Sequence, residues 1–368
     1  MKLHRIGTTA TLAVVASIAL AACGNDNPTG TTSPAASEGA TALTGTLKAS
    51  GASSQESAMT AWIAGYQGVQ PEVTVNYDSV GSGAGRENLL AGAVDFAGSD
   101  AALDEEERAK VVETCGPKGA MNIPVYISPV AVPFNLKGVT ELNLKPDTLA
   151  KIFDRKITVW NDPAIAADNP GAALPATKIT VVNRSDESGT TENFMEYLSA
   201  AAPDSWSYEA DKAWPVTGGE AAAQTTGVIE VVGRTDGAIG YADASAVGTL
   251  SSAKIGVGDE FVAFSPEAAA KVVDASKPAE SGIEGDLALE LARDTTESGA
   301  YPIVLVSYHI VCSSYSDPAK AELVKDFVGY VVSEAGQKAS AEAAGSAPIS
   351  ADLRTKAEAS LALITSGS

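Results

Sequence analysis

The sequence predicts an α/β protein with two lobes. Apolar stretches typical of buried strands alternate with stretches of helical spacing, which is the pattern of mixed or largely parallel sheets flanked by helices. The chain has 368 residues, enough for two lobes after an N-terminal leader is set aside. The strand-like stretches are residues 73–77, 94–97, 125–134, 179–182, 237–241 and 303–311.

Helical spacing is found between and after these strands. Residues 146–153 begin with a proline and have apolar residues on one helical face. Residues 220–232 suggest a helix closed by a glycine, and residues 320–365 suggest two helices on either side of residues 345–348. Residues 250–300 are polar and have little periodicity, so no element is predicted there.

Two long strand-like passages, residues 122–135 and 301–311, are predicted to carry the chain between the lobes. Neither of them ends in the hydroxyl-rich joint that follows the other strands. We therefore assign residues 46–128 and 303–368 to one lobe and residues 129–302 to the other. Ligands of open α/β sheets bind beyond the carboxyl ends of the strands, so the ligand cleft is expected between the lobes.

The N-terminus predicts export. Lys2 and Arg5 precede an apolar run, residues 10–20, that is too short to span a bilayer. Residues 20–24 (LAACG) resemble a bacterial lipobox, in which cleavage occurs before a cysteine that becomes lipid-modified, here Cys23. An ordinary signal peptide with an incidental cysteine, or a short membrane anchor, is the alternative.

The lipoprotein interpretation divides the leader at the lipobox. Residues 1–22 are then the signal peptide, and residues 23–45 are the lipidated cysteine and a flexible tether rich in Gly, Thr, Ser, Pro and Ala. The folded part is expected on the extracytoplasmic face of the cell membrane.

The formal charge of −21 argues against nucleic acid as a partner, because nucleic-acid binding needs a basic face. It does not exclude a small anionic ligand. Local N–H and O–H dipoles act over a few ångströms, whereas distant surface charge is screened by salt.

The remaining cysteines and histidines give no sign of catalysis. Cys115 and Cys312 would lie in an oxidising exterior, where they either close a disulfide or stay free and buried. No CxxC or Cys/His metal pattern and no G-x-S-x-G motif is present, and His309 lies in a strand-like run. We expect no enzyme activity, no cofactor and no metal.

Residues 184–191 (RSDESGTT) join a predicted strand to a predicted helix and are suited to an anion. A helix N-terminus offers unpaired backbone N–H groups and a favourable dipole. Ser188 and Thr190 add hydroxyl donors, Gly189 allows close approach, and Arg184 adds a planar fork of donors. A simple helix cap with an Arg–Asp ion pair is the alternative.

Other joints have the same character. Residues 47–54 carry hydroxyls and open a helical pattern. Residues 79–85 and 98–100 carry hydroxyls after strand-like stretches, and the second of these ends in Asp100. Joints at the carboxyl ends of strands meet in one cleft, so the sequence predicts an anion site built from all of them.

Several motifs resemble those of the phosphate-binding proteins that serve bacterial ABC importers. The similarity runs from about residue 51 to 350 and is most specific in residues 75–85, 94–100, 157–165 and 184–190, with residues 237–241 and 345–348 adding to it. The resemblance implies a type II periplasmic-binding-protein-like fold whose lobes close like a hinged clamp. It also implies a monomer that captures inorganic phosphate and delivers it to membrane-embedded permease subunits.

The resemblance also implies the ligand residues. Many relatives have Thr followed by an apolar residue in the first joint, so the part played there by the Ser54 side chain stays open. Asp186 is expected to pair with Arg184, and the pair Cys115 and Cys312 resembles actinobacterial relatives. The matching phosphate positions are Ser53, Ser54, Ser82, Asp100, Arg184, Ser188, Gly189 and Thr190.

These residue types suit phosphate because phosphate keeps a proton at neutral pH and sulfate does not. Asp100 can accept a hydrogen bond from phosphate but would face only lone pairs of sulfate. A receptor for sulfate or molybdate is the nearest alternative. A secreted phosphatase with Ser82 or Ser188 as nucleophile lacks a partner base, and a phosphate-sensing surface protein is a further alternative.

Overall fold

The computed structural model describes residues 42–367. The predicted signal peptide, the lipidation site Cys23 and the tether up to residue 41 lie outside the described residues. The strands, numbered in chain order, are β1 (Gly45–Gly51), β2 (Val73–Ser79), β3 (Phe96–Ser99), β4 (Ala120–Ala131), β5 (Pro133–Asn135), β6 (Asn143–Leu144), β7 (Thr180–Arg184), β8 (Glu220–Ala222), β9 (Ala238–Gly240), β10 (Ala242–Asp243), β11 (Ser251–Ser252), β12 (Lys254–Val257), β13 (Glu260–Val262), β14 (Lys277–Pro278), β15 (Leu289–Glu290), β16 (Val304–Cys312), β17 (Ser314–Tyr315) and β18 (Thr365–Ser366).

Helices cover both large sheets. A 3₁₀ turn, Ser53–Gln55, precedes the first helix, and another, Ala244–Ala246, follows β10. The helices are α1 (Glu56–Gln67), α2 (Ser82–Leu90), α3 (Glu105–Cys115), α4 (Pro146–Phe153), α5 (Pro163–Asp168), α6 (Gly189–Ala201), α7 (Gln224–Arg234), α8 (Pro266–Asp274), α9 (Pro318–Val332), α10 (Glu334–Ala344) and α11 (Ala351–Ala362).

The larger sheet has six strands in the order β10-β4-β16-β3-β1-β2, and a second has five in the order β11-β5-β9-β7-β8. In the first sheet β1 runs parallel to β2 and β3, whereas β16 is antiparallel to both β3 and β4. In the second, β7 is parallel to β8 and β9, and β5 is antiparallel to β9. Both large sheets are therefore mixed, as the fold prediction allowed.

The chain passes between the large sheets where the first crossover was predicted. β4 is buried along its whole length beside β16, and one residue later β5 belongs to the five-stranded sheet. β16 brings the chain back to the six-stranded sheet and is also fully buried. The exact division of the chain into lobes stays a prediction.

The helix predicted over residues 220–232 is wrong at both ends. Residues 220–222 form β8 rather than a helical turn, because they pair with β7 as a parallel strand. The first pair in this register is Val182 with Glu220. The helix begins only at Gln224, whose φ of 61° breaks the strand, and it continues through Gly233 to Arg234.

The C-terminal region has a third helix that the sequence reading did not separate. Ser333 ends α9 and caps α10, because its side chain accepts a hydrogen bond from the Gly336 N–H. The local Ser-Glu-Ala-Gly sequence is a helix-start signal that the long Ala/Glu/Lys composition concealed. By contrast, α4 has the predicted bounds.

A disulfide and an aromatic cluster hold the frame of the site. Cys115 at the end of α3 is bonded to Cys312 at the end of β16, so the two cysteines are not free thiols. Behind α6, Phe194 stacks on Tyr241 with ring centroids 4.6 Å apart and contacts Phe153 at 4.7 Å. This buried packing fixes the position of the N-terminus of α6.

Candidate anion site

The four predicted joints meet. The Gly51 carbonyl, at the end of β1, accepts a hydrogen bond from the Gly81 N–H at 2.8 Å, and the Ala52 N–H donates to the Gly98 carbonyl at 2.9 Å. The fourth joint reaches the second through the Gly83 N–H, which donates to the Glu187 carbonyl at 3.2 Å. Ends of strands from both large sheets therefore face one another across a narrow gap.

Two glycines make this approach possible. Gly81 precedes α2 with φ of 97°, and a Cβ there would lie 2.7 Å from Asp186 Oδ2. A Cβ on Gly189 would lie 2.8 Å from both Ser82 Oγ and Asp100 Cβ. Side chains at these positions would push the joints apart.

The N-terminus of α6 is capped at the predicted position. Ser188 is the N-cap, and its Oγ accepts a hydrogen bond from the Thr191 N–H at 3.2 Å. The N–H groups of Gly189 and Thr190 belong to the first turn, which has no acceptor within the helix. The cap and the anion cradle are thus compatible, since the cap uses the Thr191 N–H and leaves the Gly189 and Thr190 N–H groups without an acceptor in the helix.

Asp100 lies at the centre of the site and is 3% exposed. Its carboxylate accepts hydrogen bonds from Ser54 Oγ at 2.5 Å and Thr190 Oγ1 at 2.8 Å. Its backbone N–H donates to Ser82 Oγ at 3.1 Å, which leaves the Ser82 hydroxyl proton for another acceptor. Asp100 is thereby tied to three of the other predicted ligand residues.

Arg184 is buried and paired with Asp186 as predicted. Its Nε donates to Asp186 Oδ1 at 2.8 Å and its Nη2 donates to Asp186 Oδ2, which leaves Nη1 for another acceptor. Partial burial raises the pKa of Asp186, but the Arg184 contact and the Gln224 N–H outweigh burial and hold that pKa below its usual range. The pair is a bidentate fork that fixes the guanidinium plane.

The two serines of the first joint differ in their surroundings. Ser54 reaches Asp100, whereas Ser53 lies against the start of α7. Ser53 Oγ is 2.9 Å from Thr225 Oγ1 and accepts a hydrogen bond from the Thr225 N–H at 3.2 Å. The structure thus brings Ser54 to the carboxylate through its side chain and uses Ser53 as a contact between the two large sheets.

Three site residues have no signal in the local sequence. Ser307 on β16 donates to Asp100 Oδ1 at 2.6 Å. Asn193 on α6 donates to the Asp100 carbonyl at 2.6 Å and to the Gly189 carbonyl at 2.8 Å. Thr225 meets Ser53 as described. Only the packing of the elements could have found them, because Ser307 and Asn193 lie 207 and 93 positions from Asp100, and Thr225 lies 172 positions from Ser53.

A buried cluster of charged side chains lies beside the cradle. Arg86 on α2 contacts Glu107 on α3 at 3.0 Å and Glu192 on α6 at 3.7 Å, and Lys212 contacts Glu107 at 3.6 Å. Burial raises the pKa of Glu192 to about 7, and the negative charges of Glu196, Glu107 and Asp211 act in the same direction against the effect of Arg86. The cluster links helices of the two large sheets.

Within residues 42–367, no three His, Cys, Asp or Glu side chains are grouped so as to hold a metal ion. None of the described helices has the length and apolar character of a membrane span.

Comparison with known proteins decides the family. The model of the PBP superfamily domain matches residues 36–335. Phosphate-binding protein PstS 3 of Mycobacterium tuberculosis is 38% identical over 338 residues, which cover 89% of this chain and 90% of that protein. The chain belongs to the phosphate-binding protein family. A more distant member, phosphate-binding protein PstS of Xylella fastidiosa, is 31% identical over 356 residues, covering 92% of this chain and 93% of its own length.

Solved structures of the family have the same fold. A high-affinity periplasmic phosphate-binding protein, PfluDING, solved with phosphate, gives a TM-score of 0.67 at 19% identity and covers 87% of this chain and 93% of its own. A phosphate-binding protein from Stenotrophomonas maltophilia gives 0.64 at 21% identity, covering 87% and 94%. The predicted family and the predicted two-lobed α/β fold are confirmed.

Proposed function

We propose that this chain captures inorganic phosphate outside the cytoplasm and delivers it to the membrane-embedded subunits of an ABC importer. The observation that supports the proposal most directly is the placement of Asp100. A buried carboxylate, surrounded by hydroxyl donors and close to the N-termini of α2 and α6, is the arrangement expected for a ligand that is an anion and still has a proton to donate.

Each predicted residue has a role in this proposal. Arg184, oriented by Asp186, would donate Nη1 to a phosphate oxygen. Ser82 and Ser188 both accept from backbone N–H groups, so their hydroxyl protons are available to the anion. Ser54 and Thr190 give their hydroxyl protons to Asp100, so they and Gly189 would bind the anion through their backbone N–H groups. Ser53 would contribute its hydroxyl or its backbone N–H.

Asp100 would exclude the competing oxyanions. A phosphate hydroxyl would donate a hydrogen bond to the carboxylate, whereas sulfate would place lone pairs against it in a buried site. Leaving buried polar groups unpaired in this way costs about 1–3 kcal/mol or more. This penalty favours a phosphate receptor over a receptor for sulfate or molybdate.

The geometry gives no support to a phosphatase. His309, which would be the natural base, is buried on β16 with Nε2 at 3.2 Å from Gln55 Oε1 rather than beside Ser82 or Ser188. Both serine hydroxyls lie at helix starts, where they serve backbone N–H groups. We therefore infer a binding protein that performs no chemistry on its ligand.

Calorimetry with phosphate and sulfate tests the proposal. Protein freed of carried-over phosphate is titrated with each anion, and we expect one phosphate per chain and no measurable competition by sulfate. Asp100→Asn should weaken phosphate binding modestly and admit sulfate, because the amide can donate to a deprotonated oxyanion. Equal binding of both anions by the unaltered protein would reject phosphate specificity.

We also propose that the chain is anchored through lipid on Cys23 and exported by residues 1–22. The Leu-Ala-Ala-Cys motif and the short apolar run before it support this. Cys23→Ser should release the protein from the membrane fraction or block its processing. Normal processing together with unchanged membrane fractionation of that variant would contradict the anchor.

A further inference from the structure

A chain of buried hydrogen bonds ends on Asp100 from the side away from α6. Asp100 Oδ1 accepts from Ser307 Oγ at 2.6 Å, and Ser307 Oγ in turn accepts from Gln55 Nε2 at 2.5 Å. The Gln55 side-chain oxygen Oε1 lies 3.2 Å from His309 Nε2. All of these side chains are almost completely buried.

The direction of every bond in this chain is fixed. Gln55 Nε2 also lies 3.3 Å from the Tyr308 carbonyl, which can only accept, so the nitrogen end of the amide must face Ser307 and Tyr308. Gln55 Oε1 is then an acceptor, and His309 must carry its proton on Nε2. Burial lowers the pKa of His309 to about 3, so the ring is neutral and this single proton sets its tautomer.

The Ser307 proton therefore points at Asp100. A hydroxyl that accepts from an amide N–H on one side has its own proton free for the other side, where only Asp100 Oδ1 lies within reach. Ser54 and Thr190 also donate to the Asp100 carboxylate. The carboxylate is therefore the acceptor in all three of these hydrogen bonds.

We infer that Ser307 is a specificity-determining positioning residue, oriented by Gln55 and His309, which keeps Asp100 an acceptor toward the ligand. The inference rests on the proposed phosphate binding and deepens it. A carboxylate held in one orientation by directed donors can accept a hydrogen bond from phosphate and meets sulfate only with lone pairs. Without Ser307, the carboxylate loses one directed donor and gains freedom to rotate, so a fully deprotonated oxyanion is excluded less strongly.

The test compares the phosphate-over-sulfate selectivity of Ser307→Ala with that of Ser128→Ala. Ser128 is a matched control, since it is equally buried on the neighbouring β4, but its hydroxyl contacts the Pro129 carbonyl, at 3.5 Å, and the side chains of Tyr126 and Asp243 rather than Asp100. Sulfate competition against phosphate is measured by calorimetry at constant ionic strength. Loss of a hydrogen bond to a charged group predicts that selectivity falls about tenfold or more in Ser307→Ala and stays unchanged in Ser128→Ala.

A second variant keeps Ser307 in place. Gln55→Met has a similar volume but no amide, so it removes the hydrogen bond that orients the Ser307 proton together with the Gln55 contacts to Tyr308 and His309. We expect a smaller fall in selectivity in the same direction. Unaltered selectivity in folded Ser307→Ala would overturn the inference. If Ser307→Ala does not fold, unaltered selectivity in Gln55→Met would overturn it. Failure of the unaltered protein to bind phosphate would instead reject the proposed function.

Discussion

Asp100 is held in place by hydrogen bonds from several distant parts of the chain. Its side chain and backbone are held by Ser54, Ser82, Thr190, Asn193 and Ser307, which come from elements on both large sheets. Removing one donor leaves the others in place, so we expect single hydroxyl variants to alter selectivity before they abolish binding. Arg184 differs, because no other positively charged side chain contacts the predicted ligand residues in the described part of the chain.

Arg184→Ala should weaken phosphate binding by roughly 30-fold or more, since truncating one partner of a buried charged hydrogen-bond pair costs about 2–5 kcal/mol. Arg184→Lys should recover part of this loss, because one ammonium cannot keep Asp186 and also reproduce the planar fork. The measurement is calorimetric titration with phosphate, combined with a thermal melt to confirm folding.

Arg234→Ala is the control for long-range charge, because Arg234 is exposed at the end of α7. It removes the same formal charge from an exposed position and should leave affinity nearly unchanged. A folded Arg184→Ala protein that binds phosphate within about twofold of the unaltered protein would show that the joint is only a capped helix.

At the scale of elements, the N-terminus of α6 must approach the end of β3 closely. Gly189→Ala puts a Cβ 2.8 Å from Asp100 Cβ and 3.1 Å from the Ala101 backbone nitrogen. Alanine favours the helix by about 1 kcal/mol, but the clash is with residues that follow β3 rather than with α6 itself. We therefore expect folding to survive and the closed arrangement to be penalised by about 1–3 kcal/mol, which is about 5- to 150-fold in phosphate affinity.

Gly227→Ala is the matched control for this variant. Gly227 also lies within a helix, α7, but a Cβ there would meet Ala222 Cβ at 3.6 Å and the Ala222 carbonyl carbon at 3.8 Å, which are ordinary contacts. This variant should keep phosphate affinity and gain a little thermal stability. Equal affinities for the two variants in calorimetry would contradict the close approach of α6 to β3.

The elements that the sequence predicted well are those fixed by local chemistry. The bounds of α4 and the Ser188 cap follow from proline, hydroxyl and apolar spacing, which act within a few residues. Ser307 escaped prediction because its role depends on the register of β16 against β3 and β4, with Asp100 207 positions away. The boundary between β8 and α7 was missed for the same reason, since pairing with β7 overrides the helical pattern.

For the whole molecule, the strong negative charge and the anionic ligand are compatible because the cradle is built from short-range donors. The Cys115–Cys312 disulfide and the return of β16 between β3 and β4 fix the frame of one large sheet. The cluster of Arg86, Glu107, Glu192 and Lys212 then joins this frame to the helices beside the other sheet. Its most unusual member is Glu192, because Oε2 has no hydrogen-bond partner and lies 3.7 Å from Arg86 Nη2.

Glu192 should make the protein less stable as pH rises. Burial raises its folded-state pKa to about 7, above the ordinary value of 4.5, so the folded chain holds this proton longer than the unfolded chain does. Between these two values the free energy of unfolding falls with increasing pH, and above about 7 this contribution is constant. The 23% exposure of the side chain screens the effect, so we expect a change of about 1–3 kcal/mol.

Glu192→Gln removes this titration while keeping the shape of the side chain. The free energy of unfolding of the variant minus that of the unaltered protein should therefore be larger at pH 8 than at pH 5. Denaturant unfolding at both pH values measures this difference. Glu230→Gln, on the exposed face of α7, removes the same charge and should show no such change. Taking the difference between variant and unaltered protein cancels other titrating groups, including Asp243, whose pKa burial raises to about 6. An identical difference at pH 5 and pH 8 would mean that the Arg86 contact compensates the burial of Glu192, so that the cluster joins the lobes without a dependence on pH.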